Sequence, residues 1–308
     1  MSLATLPVTG SICNNVYDQK KNDLNSESKK SNNEMIRRKI PSSGELLPVI
    51  GLGSWLQFDV NRTESELMPL LEVLKKMIDY GGRVIDSSPM YGRAEEIIGD
   101  LTSELGIADK FFYATKVWTT GRENGIEQMT ASSKKMRRNT IDLMQIHNLV
   151  DWQTHMKTLK DWKDKGKIRY IGITHYTASA HEQLEEIIKL KEIDFVQFNY
   201  SIGVRNAEDR LLNASKDHGV AVIINEPYEG GALFKVVKGK TLPEWSKESD
   251  ISSWGQFFLK YIISHPAVTC VIPGTSDPKH LVDNMEAGYG QLPDEKMKKR
   301  MVEYFEGL

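Results

Sequence analysis

The chain has 308 residues, 40% of them apolar and 27% charged, with a formal net charge of −2. This is ordinary for a folded globular protein, and long enough for two average domains or one large α/β barrel. No Lys/Arg cluster alternates with aromatics and no apolar stretch reaches roughly 18 residues, which argues against nucleic-acid binding and a membrane span.

The first 34 residues stand apart. Asn14 to Asn33 is rich in Asn, Lys, Ser, Asp and Glu, so residues 1–34 are expected to be a disordered polar lead-in. Met1 to Ile12 is too short and too polar for a complete secretory signal, and a cytoplasmic location is expected. The alternative is an exported or periplasmic protein with a trimmed signal. Cys13 followed by a long polar tether also resembles a lipoprotein end, although Gly10-Ser11-Ile12-Cys13 is a poor cleavage box. The other cysteine, Cys270, lies in the apolar run Val268 to Ile272 and reads as a small buried hydrophobe. Two such cysteines support neither a disulfide framework nor a Cys/His metal site.

Residues 35–308 are expected to form a single domain. Arg37 to Leu47 carries the turn signature Pro41-Ser42-Ser43-Gly44 and predicts a short hairpin ahead of the main fold. Eight strand-like runs follow, at Val49-Leu52, Arg83-Asp86, Phe111-Lys116, Asp142-His147, Ile168-Thr174, Phe195-Asn199, Ala221-Asn225 and Thr269-Ile272. Helical patterns alternate with them. Glu64 to Tyr80 places Leu67, Leu70, Leu71, Leu74 and Met77 on one face. Comparable segments begin at Ala94, Glu123, Trp152, Ala180, Ala207, Ser252 and Pro278, and Asp294 to Phe305 reads as an extra C-terminal helix. Eight strands alternating with eight helices predict a (β/α)8 TIM barrel. An open doubly wound sheet is disfavoured, because Gly51-Leu52-Gly53 is followed by Ser-Trp-Leu and opens no dinucleotide fingerprint.

Three of the runs end on polar residues that a buried strand would normally avoid: Asp86, Lys116 and His147, spaced 30 and 31 residues apart. Each interval holds one strand, one helix and two short loops, so the three side chains should emerge from neighbouring parallel strands at one end. Thr174, Gln197, Asn199 and Asn225 continue the series. A single polar strand ending is commonly a cap or turn former, and a lone histidine is as often a satisfied core residue. Asp, Lys and His in register, with Tyr91 in the intervening loop, is a stronger signal. A lysine ammonium beside a phenol favours the phenolate, so a lowered Tyr91 pKa is expected. A carboxylate fixes the lysine, and an imidazole can hydrogen-bond a carbonyl oxygen. The set suits protonation of an oxygen that becomes an alkoxide, as in reduction of a carbonyl by hydride.

These residues closely resemble the aldo/keto reductase family. Val84-Ile85-Asp86-Ser87-Ser88-Pro89-Met90-Tyr91-Gly92, with Glu95 following, is similar to the family's Asp-Thr-Ala-x-x-Tyr-Gly-x-x-Glu signature. Ala114-Thr115-Lys116-Val117-Trp118 resembles the lysine strand, and Asp142-Leu143-Met144-Gln145-Ile146-His147 the histidine strand. The resemblance implies a catalytic tetrad of Asp86, Tyr91, Lys116 and His147, with Tyr91 as proton donor. Trp55, Tyr91, Trp118 and His147 would border a small-molecule carbonyl substrate.

For a nicotinamide cofactor the resemblance implies Gly53, Ser54 and Trp55 after the first strand, Thr174 with His175 where Ser-Asn is usual, and Gln197 on the carboxamide. Asn225, Glu226, Pro227 and Tyr228 replace the common Ala-Tyr-Ser-Pro, so the usual stacking aromatic is missing at Glu226. An acidic residue there is unfavourable near a phosphate. Gly274, Thr275, Ser276, His280, Asp283 and Asn284 follow the family's last loop and helix. Many NADPH-using members have Lys at position 274 and Arg at 280; here they are Gly and His. NADPH is the expected cofactor and NADH the alternative. Two other readings remain: a cofactor-sensing regulatory subunit of the same fold, and a barrel lyase or isomerase without nicotinamide. Neither the substrate nor the oligomeric state is written in the sequence.

Overall fold

The structure is a computed structural model and describes residues 34–308. Cys13 and residues 1–33 of the expected polar lead-in lie outside the described residues. Strand β1 (Arg37–Lys39) pairs antiparallel with β2 (Leu46–Pro48), with Arg38 opposite Leu47. The turn between them closes where Gly44 donates to the Ile40 carbonyl at 2.8 Å. Gly44 has a φ of 78°, a left-handed conformation that glycine adopts at little cost.

Eight parallel strands follow in strictly sequential order: β3 (Leu52–Gly53), β4 (Val84–Asp86), β5 (Phe112–Val117), β6 (Ile141–His147), β7 (Ile168–Thr174), β8 (Phe195–Asn199), β9 (Ala221–Asn225) and β10 (Val268–Val271). Parallel bridges Ile50–Val271 and Gly53–Gly274 join the last strand to the first, so the sheet is a nearly closed barrel. The first strand is only two residues long, with the Ile50–Val271 bridge just ahead of it, and it lies close against its neighbours. A Cβ at Gly51 would lie 2.8 Å from the Val84 carbonyl oxygen, and one at Gly53 would lie 2.9 Å from that of Ile272. Glycine at both positions lets the seam close.

Helices α1 (Glu64–Asp79), α2 (Ala94–Glu104), α3 (Arg122–Lys135), α4 (Trp152–Asp164), α5 (His181–Lys189) and α6 (Leu211–Asp217) alternate with the strands. After β9 come α7 (Ala232–Val236) and α8 (Trp254–Ile263), and after β10 come α9 (Pro278–Glu286) and α10 (Glu295–Glu306). Helix α1 buries Leu70, Leu74 and Met77 of the predicted stripe together with Val73, while Leu67 and Leu71 at its edge are half-buried. Helix α7 had no periodic signature, since five residues hold little more than one turn.

Two apolar layers result. One lies between strands and helices. The other fills the barrel interior, where Val84, Phe112, Leu143, Tyr170 and Phe195 pack with Ile40 and Leu47 of the hairpin. Cys270 belongs to that interior, and burial pushes its thiol pKa up, as for an inert small hydrophobe. The hairpin therefore plugs the N-terminal end, and the polar strand endings are left to the opposite mouth.

Candidate active site

Asp86 ends β4 and Lys116 is the penultimate residue of β5. Lys116 Nζ lies 2.5 Å from Asp86 Oδ2 and donates to the Ser87 carbonyl at 2.7 Å. The same ammonium sits 4.9 Å from the centroid of the Tyr91 ring. His147, the last residue of β6, meets the Tyr91 ring edge-on at 5.9 Å between centroids. Its Nδ1 is 3.0 Å from Ser88 Oγ. The structure thus brings all four sequence-predicted side chains together at the C-terminal mouth.

Their protonation follows from the packing. Burial disfavours a charged Lys116, but the negative charge of Asp86 and, once it ionises, that of the Tyr91 phenolate outweigh it and hold the lysine pKa above its ordinary value. Burial raises the Tyr91 pKa; Lys116 pulls it down, while Asp86 and Glu226 push it further up. The sequence expectation of a lowered phenol pKa is therefore corrected: the lysine acts in the expected sense, and desolvation outweighs it. Burial, then Lys116 and His175, drive the His147 pKa down to about 2, so its imidazole is neutral.

Two participants escaped the sequence reading. Gln145 donates from Nε2 to Asp86 Oδ1 at 2.9 Å. Ser88 holds His147. Gln145 stands two residues before His147, on the same strand face, which was the signal available for it. Ser88 lies inside the signature segment and carries a hydroxyl at fixed spacing from Tyr91.

The candidate cofactor residues fall into three groups. Around the mouth, Gln197 donates to Asp86 Oδ1 at 3.0 Å, and its Oε1 accepts from Thr174 Oγ1 at 3.2 Å and from Asn225 Nδ2 at 3.3 Å. The His175 amide donates to the Gln197 carbonyl at 3.0 Å. The Ser54 amide, next to Gly53, donates to the Asp86 carbonyl at 3.0 Å. Ser54 Oγ and Asn225 Oδ1 are buried with no hydrogen-bond partner among the described residues. Trp55 and Trp118 are 49% and 42% exposed, and the Trp118 ring lies 6.4 Å from that of His147. A cavity of about 440 Å³ opens to one side of the mouth, lined by Trp55, Tyr176, Asn199, Tyr200, Glu226 and Glu229 among others and by none of the four tetrad side chains.

The second group lies on the rim. Gly274, Ser276 and His280 are exposed, while Thr275 is buried with its Oγ1 accepting from the Asp277 amide at 3.1 Å. Ser276 Oγ donates to Gln57 Oε1 at 3.1 Å, tying the last loop to the first. Asp277 caps α9 by accepting from the Lys279 amide at 2.7 Å. The third group is engaged with neighbouring side chains. Tyr228 donates to Asn284 Oδ1 at 2.6 Å and packs on Phe234 and Phe258. Asp283 accepts from Ser253 Oγ and Gln256 Nε2, and Pro227 is buried. Glu226 itself adopts a left-handed φ of 50°.

Among the described residues no cluster of three or more His, Cys, Asp or Glu is placed to hold a metal ion, and no helix is long and apolar enough to cross a membrane. Such an acid, base and phenol grouping can deliver a proton to an oxygen and stabilise the anion left behind.

Comparison with known proteins supplies the relatives. A family model described as the aldo/keto reductase family matches residues 49–301. The chain is 26% identical to aldo-keto reductase YhdN of Bacillus subtilis, over 65% of this chain and 63% of that protein, so it spans less than two thirds of that relative. It is 25% identical to methylglyoxal reductase YeaE of Escherichia coli, over 81% and 89% of the two chains. A solved aldo-keto reductase from Klebsiella pneumoniae in complex with NADPH shares the fold with a TM-score of 0.73. Its identity is 20%, over 88% of this chain and 96% of that one.

Proposed function

The chain belongs to the aldo/keto reductase family, and from that premise we propose an NADPH-dependent reduction of an aldehyde or ketone with Tyr91 as the proton donor. The observation that carries this reading is the placement of Lys116 Nζ, 2.5 Å from Asp86 Oδ2 and 4.9 Å from the Tyr91 ring centroid. The dinucleotide, when bound, supplies the hydride. The relative from Klebsiella pneumoniae was solved with NADPH, which favours the phosphorylated form.

The residues present fit such a cofactor at the nicotinamide end. Asn225 Oδ1 is a buried acceptor without a partner among the described residues, suited to a carboxamide N–H. Ser54, Trp55, Thr174 and His175 surround the same mouth. The exposed start of α9, with Gly274, Ser276, Lys279 and His280, would face the adenosine phosphates; helix N-termini favour anions.

The proton path follows from the site chemistry. A raised pKa keeps Tyr91 protonated at neutral pH, so it has a proton to give. Lys116 then stabilises the phenolate that remains. Ser88 Oγ accepts from the Met90 amide at 3.4 Å, which leaves its own proton to donate to His147 Nδ1. Neutral His147 then carries its hydrogen on Nε2 and can donate to the substrate oxygen. Trp55 and Trp118 border the carbonyl on either side.

Methylglyoxal is the first substrate to try, after the activity named for the Escherichia coli relative. Fluorescence titration with NADPH and NADH, followed by turnover, tests the proposal. Tyr91→Phe should lower kcat by about 10²–10⁴ while leaving cofactor affinity nearly unchanged. Wild-type turnover in that variant would remove Tyr91 from its role. Tight cofactor retention with no turnover of any carbonyl in the parent protein would favour a regulatory subunit instead.

A further inference from the structure

Gln145 stands opposite Lys116 in the β5–β6 register and is completely buried. Its Nε2 donates to Asp86 Oδ1 at 2.9 Å, and its Oε1 accepts from Gln197 Nε2 at 3.2 Å. Gln197 Nε2 also reaches Asp86 Oδ1 at 3.0 Å, while Gln197 Oε1 takes Thr174 and Asn225. An amide offers two N–H donors and two lone pairs, so every hydrogen-bonding position of Gln197 is occupied within the protein. The two glutamines form a closed amide bridge over the carboxylate oxygen that faces away from Lys116.

That bridge bears on proton delivery. Two of the three Lys116 N–H groups are directed at Asp86 Oδ2 and the Ser87 carbonyl, leaving one for the Tyr91 side. The lysine is shared between a carboxylate and a phenol. Two amide donors on Oδ1 draw negative charge toward that oxygen and prevent the carboxylate from rotating. Without them, charge on Oδ2 would increase and the ammonium would move toward Asp86, away from Tyr91.

We propose that Gln145 is a positioning residue: by holding Asp86 Oδ1 and Gln197 together, it sets how Lys116 is divided between Asp86 and Tyr91. Through Gln197 the same bridge reaches Thr174 and Asn225, the side chains beside the proposed nicotinamide position. This rests on the proton-donor reading of Tyr91, and it adds a residue outside the tetrad.

The test follows Tyr91 directly, by NMR of protein carrying isotope-labelled tyrosine, with the Tyr91 signal assigned by its loss in Tyr91→Phe. Gln145→Met preserves length and removes both polar groups. It should move the Tyr91 titration upward by about one pH unit and lower kcat by roughly tenfold, with cofactor affinity nearly unchanged. Gln145→Glu serves if the first variant does not fold. Protonated, it can still donate to Asp86; ionised, it repels Asp86, so its kcat should fall as pH rises through its own titration. An unmoved Tyr91 titration in Gln145→Met, or a pH-independent kcat in Gln145→Glu, would overturn the inference and leave Gln145 a packing residue. A parent protein that reduces no carbonyl but shows the Tyr91 shift in Gln145→Met would refute the reductase reading and leave the positioning role intact.

Discussion

Lys116 Nζ and Asp86 Oδ2 meet at 2.5 Å with the lysine side chain wholly buried and the aspartate side chain 3% exposed. A pair so deep in the barrel mouth contributes through what its removal leaves behind, more than through its own attraction. Lys116→Met strands a buried carboxylate and should cost about 3–5 kcal/mol of stability, read from urea unfolding. Lys116→Met combined with Asp86→Asn should recover part of that loss, since no unpaired charge remains. Neither variant should reduce a carbonyl. If the single variant proved as stable as the parent, the pair would not be structurally coupled as the geometry indicates.

His147 gives the site a defined pH dependence. Its pKa falls from the ordinary histidine value of 6.5 to about 2, first through burial and then through Lys116 and His175. The unfolded chain therefore binds a proton that the folded chain refuses between those limits. The stabilisation is fully present above pH 6.5 and is lost as pH falls toward 2, by up to about 1.4 kcal/mol per pH unit. His147→Gln should show a smaller drop in urea midpoint between pH 7 and pH 5 than the parent. An identical drop in both would mean that the imidazole is not held neutral.

Glu226 contributes negative charge near Tyr91, and it lines the mouth cavity together with Glu229. A carboxylate in the path of a diphosphate weakens its binding. Glu226→Gln should tighten NADPH several-fold at low ionic strength, with the gain shrinking as salt is added. It should also let the Tyr91 pKa relax downward. Fluorescence titration at two salt concentrations checks the first effect; weaker binding in the variant would point to a direct cofactor contact from Glu226.

Gly274 is exposed beside Ser276, and a Cβ there would lie 3.2 Å from the Gly53 carbonyl oxygen and 3.4 Å from Gln57 Cγ, so a side chain needs only a small adjustment. Gly274→Lys should tighten NADPH by about tenfold, equivalent to about 1.4 kcal/mol, and leave NADH little changed. An equal gain for both cofactors would show that the lysine does not reach the additional phosphate.

Much of this was legible along the chain because a parallel barrel repeats. Strand-plus-helix intervals put Asp86, Lys116 and His147 at one end of adjacent strands, and the structure has them there. Cys270 read as a small hydrophobe and lies in the barrel interior. Local signals failed where contacts come from distant segments. Tyr228 follows β9 in sequence, yet its hydroxyl is taken by Asn284 of α9. Gln145 looked like one more residue of an apolar strand until Asp86 and Gln197 closed around it.

By itself the sequence determined the alternation of strands and helices and which polar residues end the strands, since both follow from hydrophobic periodicity and spacing. Only the tertiary structure decided the direction of the Tyr91 pKa, the neutrality of His147 and the amide bridge over Asp86. Those depend on burial and on charges brought together from β4, β5, β6 and β8. Desolvation and Coulomb energies are set by distances through space, and spacing along the chain does not encode them.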